Sequence, residues 1–265
     1  MRRVVSARLT LVVESPIDLV LSLAPAAAPG IRSVETLTLW LDGEPVEYHE
    51  ILDDHGTRSH RAQVGAGLLN VAFDATVDGQ AEPETAEEHD LISFLRPSRY
   101  CESDSLAPTA LAQFGGLRDM DLLDAVSSWV GTHLAYVSGS SLSTDGALRT
   151  LLARQGVCRD FAHLCIAMLR ACGVPARAVS VYAPGLEPMD FHAVCEAYID
   201  GRWLVIDPTM KAPRGSLLRI ATGRDAADTA FLSTLSGIAT LTDLEVTATV
   251  DVLPFDDITK PVQLG

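Results

Sequence analysis

Basic residues are scarce in this chain: 20 Lys and Arg stand against 35 Asp and Glu, for a formal charge of −15 across 265 residues. A surface of that sign repels phosphate backbones and anionic lipid, and no concentrated basic stripe offsets it. Neither nucleic acid nor a membrane is therefore an expected partner. Long apolar runs are also missing. Hydrophobic residues make up 48% and charged residues 21%, an ordinary globular balance, yet every apolar run stops well short of the ~20 residues a spanning helix needs. The opening stretch MRRVVSARLTLVVESPIDLVLSLA has the outline of a secretion signal, but Arg8, Glu14 and Asp18 interrupt it. Leu9, Leu11 and Val13 alternate there with Thr10, Val12 and Glu14, which suits a strand. The expected location is cytoplasmic. Cysteines number five, odd and unevenly spread. They make no disulfide framework, so each is either a small buried hydrophobe or a reactive thiol.

What is present divides into two regions and a connector. Up to residue 77, strand-like segments at 7–13, 17–23, 34–41, 46–51, 59–64 and 67–77 are separated by turn signals at Pro29-Gly30, Asp42-Gly43 and Gly65-Ala66-Gly67. A small N-terminal β-domain is expected over 1–77. Residues 78–95 begin with the acidic run DGQAEPETAEEHD, which has no apolar period and reads as a linker. Over 96–265 the pattern turns helical. Met120, Leu123, Val126, Val130 and Leu134 recur at helical intervals in 119–135, a second helix is expected near 144–154, and a third runs from about Cys158 to before Gly173-Val174-Pro175. Strands follow at 176–183, 191–199 and 202–207, then a helix at 224–235 and a terminal strand at 243–253. Helices followed by strands predict an α+β domain.

Cys158 opens the third helix, where the positive end of the helix dipole and unpaired N–H groups favour a thiolate. Cys165 and Cys172 follow at seven-residue steps, about 10.5 Å apart along the axis, too far for a disulfide or a shared zinc; both read as core. Asp200-Gly201 is a favoured hairpin turn between DFHAVCEAYI and RWLVIDPT. That register pairs Ile199 with Arg202 and Tyr198 with Trp203, and puts His192, Val194, Glu196 and Tyr198 on one face with Trp203, Val205, Asp207 and Thr209. His192 and Asp207 become diagonal neighbours. The other face carries Ala193, Cys195, Ala197, Leu204 and Ile206, so Cys195 reads as structural. A carboxylate on the far nitrogen of an imidazole fixes its tautomer, as a catalytic base requires.

At GVCRDFAHLCIAMLRACGVPARAVSVY and DFHAVCEAYIDGRWLVIDPT, supported by RPSRYCESDSL and GRDAADTAF, the chain resembles the transglutaminase-like superfamily, in particular bacterial members with an N-terminal β-region. The resemblance implies a papain-like core, helices packed on an antiparallel sheet, with a Cys-His-Asp triad. It carries the nucleophile onto Cys158, the base onto His192 and the orienting carboxylate onto Asp207. Where such proteins often place an aromatic after the His-Ala pair, Val194-Cys195 follows here. The implied activity is acyl transfer at an amide, as a cysteine peptidase or amidase in preference to a protein-glutamine amine transferase, on a peptide or protein substrate and without metal or organic cofactor. Trp203, Gln155, Arg99 and Tyr100 are the expected substrate-binding residues, with Gln155 or the Cys158 N–H as oxyanion donors. Asp160 is either a site-shaping residue or a helix-end carboxylate, His163 a structural residue or rival base, and Glu196 a carboxylate in need of Arg99 or Arg177. Two rivals stand beside this reading: a non-catalytic peptide-binding module, and a zinc site on Cys158, His163 and His192, whose spacing matches no common structural site.

Overall fold

The computed structural model describes residues 1–265. The N-terminal region supplies β1 (Arg2–Leu21), β2 (Ile31–Leu41), β3 (Glu44–Pro45), β4 (His49–Leu52), β5 (Arg58–Val64) and β6 (Gly67–Gly79). Then come α1 (Glu88–Ser93), α2 (Ser103–Phe114), α3 (Asp119–His133), β7 (Ala135–Tyr136), α4 (Ala147–Ala153), β8 (Gln155–Gly156) and α5 (Cys158–Ala171). The chain finishes with β9 (Ala176–Tyr182), β10 (Phe191–Ile199), β11 (Arg202–Ile206), β12 (Leu218–Gly223), α6 (Ala226–Thr229) and β13 (Leu232–Val250). No helix is long and apolar enough to cross a membrane.

The fold is α+β with two antiparallel sheets. The first has seven strands, in the order β3-β2-β6-β1-β5-β4 with β13 paired to β1; the second runs β11-β10-β9-β12. Alternation does the work in the first sheet. Val5, Ala7, Leu9, Leu11 and Val13 of β1 face inward beside Leu69, Val71 and Phe73 of β6, all nearly inaccessible. The same core takes in Tyr182, Leu218 and Ile220 from the second sheet, and the Tyr182 hydroxyl donates to the Leu23 carbonyl at 2.9 Å. On the other face of the second sheet α5 lies over Ala176, Ala178, Cys195, Ala197, Leu204 and Ile206, the apolar side of the hairpin that the sequence predicts. Leu164, Cys165 and Met168 fill that interface with α2 and α3 outside them. Each buried aliphatic side chain there contributes roughly 1.5–3 kcal/mol, enough to fix α5 and its tip.

Several elements differ from the sequence reading. The segments expected at 7–13 and 17–23 form one strand, β1, whose pairing with β13 shifts register near Thr10, Val13 and Ser15. Glu14-Ser15-Pro16 reads as a break, but a bulged ladder absorbs it. The helix expected at 224–235 is only α6; from Leu232 the chain is extended and pairs with Leu21. Local helical spacing loses there to a ladder with residues more than two hundred positions away. That strand also moves the expected boundary: β13 belongs to the first sheet, so the N-terminal β-region takes a strand from the far end of the chain. The acidic stretch 78–95 carries the end of β6, then α1, and its Glu84 accepts a hydrogen bond from Arg177 at 2.9 Å. The helix α2, with Pro108 inside it, and the strand β12 have no counterpart among the predicted elements.

Candidate active site

Asp200 and Gly201 both hold positive φ, 50° and 77°, the turn geometry that matches the twist of a tight hairpin. The ladder runs Ile199↔Arg202, Tyr198↔Trp203 and on to Cys195↔Ile206, the register that the turn predicts. β11 ends at Ile206, so the first part of β10 has no strand on that side. There the His192 Nε2–H donates to Asp207 Oδ2 at 2.7 Å, both side chains being almost fully buried. Asp207 Oδ1 is held in turn by the Thr209 N–H (3.0 Å) and hydroxyl (2.6 Å).

Cys158 is the first residue of α5. Gly156 precedes the turn because a Cβ there would lie 2.6 Å from the Asp160 Cβ. Asp160 accepts the Val157 N–H at 2.8 Å and the Ser141 hydroxyl at 2.9 Å, so it closes the helix start. Cys158 and His192 line one cavity of about 490 Å³. His192 Nδ1 has no fixed hydrogen-bond partner and is the nitrogen left to meet the thiol. Burial lowers the imidazole pKa, but Asp207 and then Cys158 outweigh it, and the ring is pushed up to about 10. An imidazole held protonated beside a thiol favours the thiolate. Burial raises the thiol pKa of Cys101, Cys165, Cys172 and Cys195, which disfavours their thiolates.

Tyr136, near the thiol, is a residue that the sequence does not single out. The short parallel bridge pairs it with Gly156, two residues before Cys158, which brings its ring toward the Cys158 backbone and side chain. Burial, followed by that thiol, pushes the phenol up to about 12. Nothing local marks a Tyr after Leu134-Ala135 as special, since the bridge that brings it in is non-local.

Of the expected substrate-binding residues, Tyr100 lines the cavity, with its ring stacked on His163 at 5.5 Å and the exposed Arg99 guanidinium over it at 4.9 Å. Trp203 does not: the hairpin register carries it to the far end from His192, where it packs under Arg177 (4.0 Å) and edge-on to Phe94. Gln155 also lies off the cavity, exposed on β8. Glu196 finds the expected Arg177 at 2.8 Å, plus Arg219 at 2.7 Å; Arg99 plays no part. His163 is buried, and its Nε2 accepts the Ala226 N–H at 3.0 Å, which removes that nitrogen as a base or zinc ligand. Burial lowers its pKa to about 4. Asp225, overlooked although an Asp directly before a short helix is a readable cap, caps α6 through Ala227 N–H (2.9 Å) and holds Tyr100 N–H (2.8 Å). The RYCESD and GRDAADTAF strings thus meet at one wall of the cavity.

The pattern of the transglutaminase-like superfamily core matches residues 111–208, which include Cys158 and His192 and end just past Asp207. A crystal structure of a candidate cysteine protease from Cytophaga hutchinsonii is 34% identical and superposes over 100% of this chain and 94% of its own, with a TM-score of 0.88. This chain belongs to the transglutaminase-like superfamily. An uncharacterised protein of Mycobacterium tuberculosis is 36% identical over 155 residues, 52% of this chain and 48% of its own. A second, from Mycobacterium leprae, is 32% identical over 134 residues, 46% of this chain and 47% of its own. The chain spans about half the length of the curated relatives it matches.

Proposed function

We propose that this transglutaminase-like protein is a cysteine-dependent acyl-transfer enzyme that hydrolyses amide bonds, a peptidase or amidase. The observation that carries the reading is the buried His192–Asp207 pair, 2.7 Å apart, opening on the cavity that Cys158 lines. The Cys158 thiolate attacks the carbonyl carbon and the electron pair moves to oxygen. We assign the oxyanion to the Cys158 N–H at the start of α5, with the Tyr136 hydroxyl near Cys158 as a second donor. His192 gives its proton to the departing amine and a thioester remains. Water then adds to the thioester, His192 takes its proton, and the acid leaves with the thiolate restored. Asp207 keeps the ring oriented through both steps. Water is the acceptor we favour over an amine, in line with the candidate cysteine protease of Cytophaga hutchinsonii.

Iodoacetamide at neutral pH tests the nucleophile. Labelling mapped by mass spectrometry falls on Cys158 and disappears in Cys158→Ala; a label tracking Cys101 or Cys195 instead refutes the assignment. Tyr136→Phe lowers turnover of an amide substrate by about 10² if its hydroxyl supports the oxyanion but leaves iodoacetamide labelling nearly unchanged, because alkylation forms no oxyanion. Equal losses in both assays would reduce Tyr136 to a packing residue.

A further inference from the structure

Within the first sheet β13 pairs with β1 alone, and no second strand covers its other edge. Hydrogen-bonding direction along that edge follows from the ladder. The Asp251 N–H donates to the Arg2 carbonyl at 2.9 Å, and the register continues Arg3↔Val250, Val4↔Thr249 without a shift to Thr10↔Asp243. Bonded pairs alternate in an antiparallel ladder. Thr249, Thr247 and Glu245 therefore spend their N–H and C=O on β1, while Ala248, Val246 and Leu244 turn theirs outward. Val246 and Ala248 are buried by their side chains, so this outward row sits on a strand anchored from beneath.

Exposed edges are ordinarily blunted by proline, lysine, bulges or a covering element. Residues 232–250 contain no Pro, Lys or Arg, and the stretch from Asp243 to Val250 has no bulge. The edge also leads somewhere: Leu244, with Leu232 and Ser233, lines the cavity that holds Cys158 and His192. The charged residues of the strand itself are both acidic: Asp243 and Glu245 are exposed beside the edge, Arg8 facing Glu245 from β1, and the cavity adds Asp190 and Arg159. Two copies pairing edge to edge would oppose these acids in chains of charge −15 each, whereas a basic strand would neutralise them.

We propose that the edge of β13 from Leu244 to Val250 is the docking strand for the substrate. The occupant is an extended polypeptide carrying Lys or Arg, which adds to the sheet as one more strand and passes at Leu244 into the cavity. The identification of the occupant as substrate rests on the reading of Cys158 as a nucleophile for polypeptide amides; the docking itself does not.

Binding to Cys158→Ala protein separates the two. The probe is a fluorescein-labelled peptide of alternating Lys and Val, followed by anisotropy, beside a fully N-methylated twin and a Glu-Val twin. Both twins bind about tenfold or more weakly, since one loses its ladder hydrogen bonds and the other meets like charge. Glu245→Lys, an exposed change facing Arg8 across the ladder, narrows or reverses the preference for Lys-Val over Glu-Val. Val246→Pro, which removes an outward N–H, weakens the parent peptide and leaves the N-methylated twin unaffected. Equal binding of parent and N-methylated peptides overturns the proposal. So does a wild-type dimer in sedimentation that Val246→Pro dissociates, because the edge then belongs to a second copy. An unreactive Cys158 alongside N-methylation-sensitive binding would instead remove the nucleophile and keep the docking strand.

Discussion

Asp207→Asn is expected to slow thioester formation by about 10³–10⁴ with the fold intact, as loss of the correct tautomer does in triads of this kind. The reason lies in which groups surround the carboxylate. Oδ1 receives the Thr209 N–H and hydroxyl, and Oδ2 receives His192 Nε2–H. Every neighbour is a donor. In the amide the oxygen stays with the Thr209 N–H, and the NH₂ faces Nε2, which must then accept. That shift drives the imidazole proton onto Nδ1, the nitrogen turned toward Cys158, where it can no longer take up a proton from the thiol. Asp207→Ala should cost no more than the isosteric change, since it removes the oriented partner without imposing the wrong tautomer. The readout is the iodoacetamide rate at pH 7 together with single-turnover acylation. An Asp207→Asn protein within threefold of wild type would end the orienting role.

The same substitution has a signature in stability. Asp207 and Cys158 outweigh burial and lift His192 to about 10, above the ~6.5 of an unfolded chain. A raised folded pKa contributes stability that is fully present below the unfolded value and lost as pH rises toward the folded one. Between pH 7 and 8 the Cys158→Ala protein, in which no thiolate offsets the imidazole's proton, should lose stability by up to about 1.4 kcal/mol per pH unit from this group. Asp207→Asn added to it should flatten that decline. Urea midpoints across that window provide the comparison; parallel slopes would mean that the imidazole is not held protonated.

Glu196→Ala carries the largest expected loss of stability, about 3–5 kcal/mol, because it strands charge in the interior. Glu196 lies almost fully buried between Arg177 (2.8 Å) and Arg219 (2.7 Å), and Arg177 itself has no exposed side-chain surface. Arg177 also rests on Trp203 at 4.0 Å and reaches Glu84 at 2.9 Å, so one guanidinium joins the 78–95 stretch to the second sheet. Deleting Glu196 leaves two guanidinium groups facing each other with one remaining carboxylate. Glu84→Ala should cost less, since Glu84 is 32% exposed and water can replace it. Burial raises the pKa of both carboxylates but the arginines, joined at Glu84 by His55, hold them below the ordinary range. Their contribution is therefore present above about pH 4.3 and is lost as pH falls below it. Equilibrium denaturation at pH 7 measures the difference, and a loss under about 1 kcal/mol would show that the pair is effectively solvated.

The relation between Glu196 and its partners also marks how far local sequence reaches. Burying a carboxylate needs a cation, so some arginine was required, and Arg177 was among those expected. Arg219 was not, because β12, which carries it, has weak periodicity and forms by pairing with β9. The substrate-binding expectations failed for a related reason. Trp203 shares a sheet face with His192, but a face is longer than a cavity, and the register puts Trp203 at the wrong end of it. Gln155 is close to Cys158 in sequence, yet it lies on β8 and faces solvent.

Sequence alone determined the hairpin, because Asp200-Gly201 selects its turn and a period of two selects its faces. It also determined the start of α5 at Cys158, because glycine, helix-start carboxylate and apolar spacing all agree there. The hairpin brings His192 and Asp207 together, and the helix start fixes Cys158. Tertiary structure decided everything that needed partners distant along the chain: the return of β13 to β1, the arrival of Tyr136 beside the thiol, the union of Tyr100 with Asp225 and His163, and the shape of the cavity. Such contacts form because each hydrogen-bonding edge and apolar face must find a partner, and the nearest partner in space is set by the whole chain's packing.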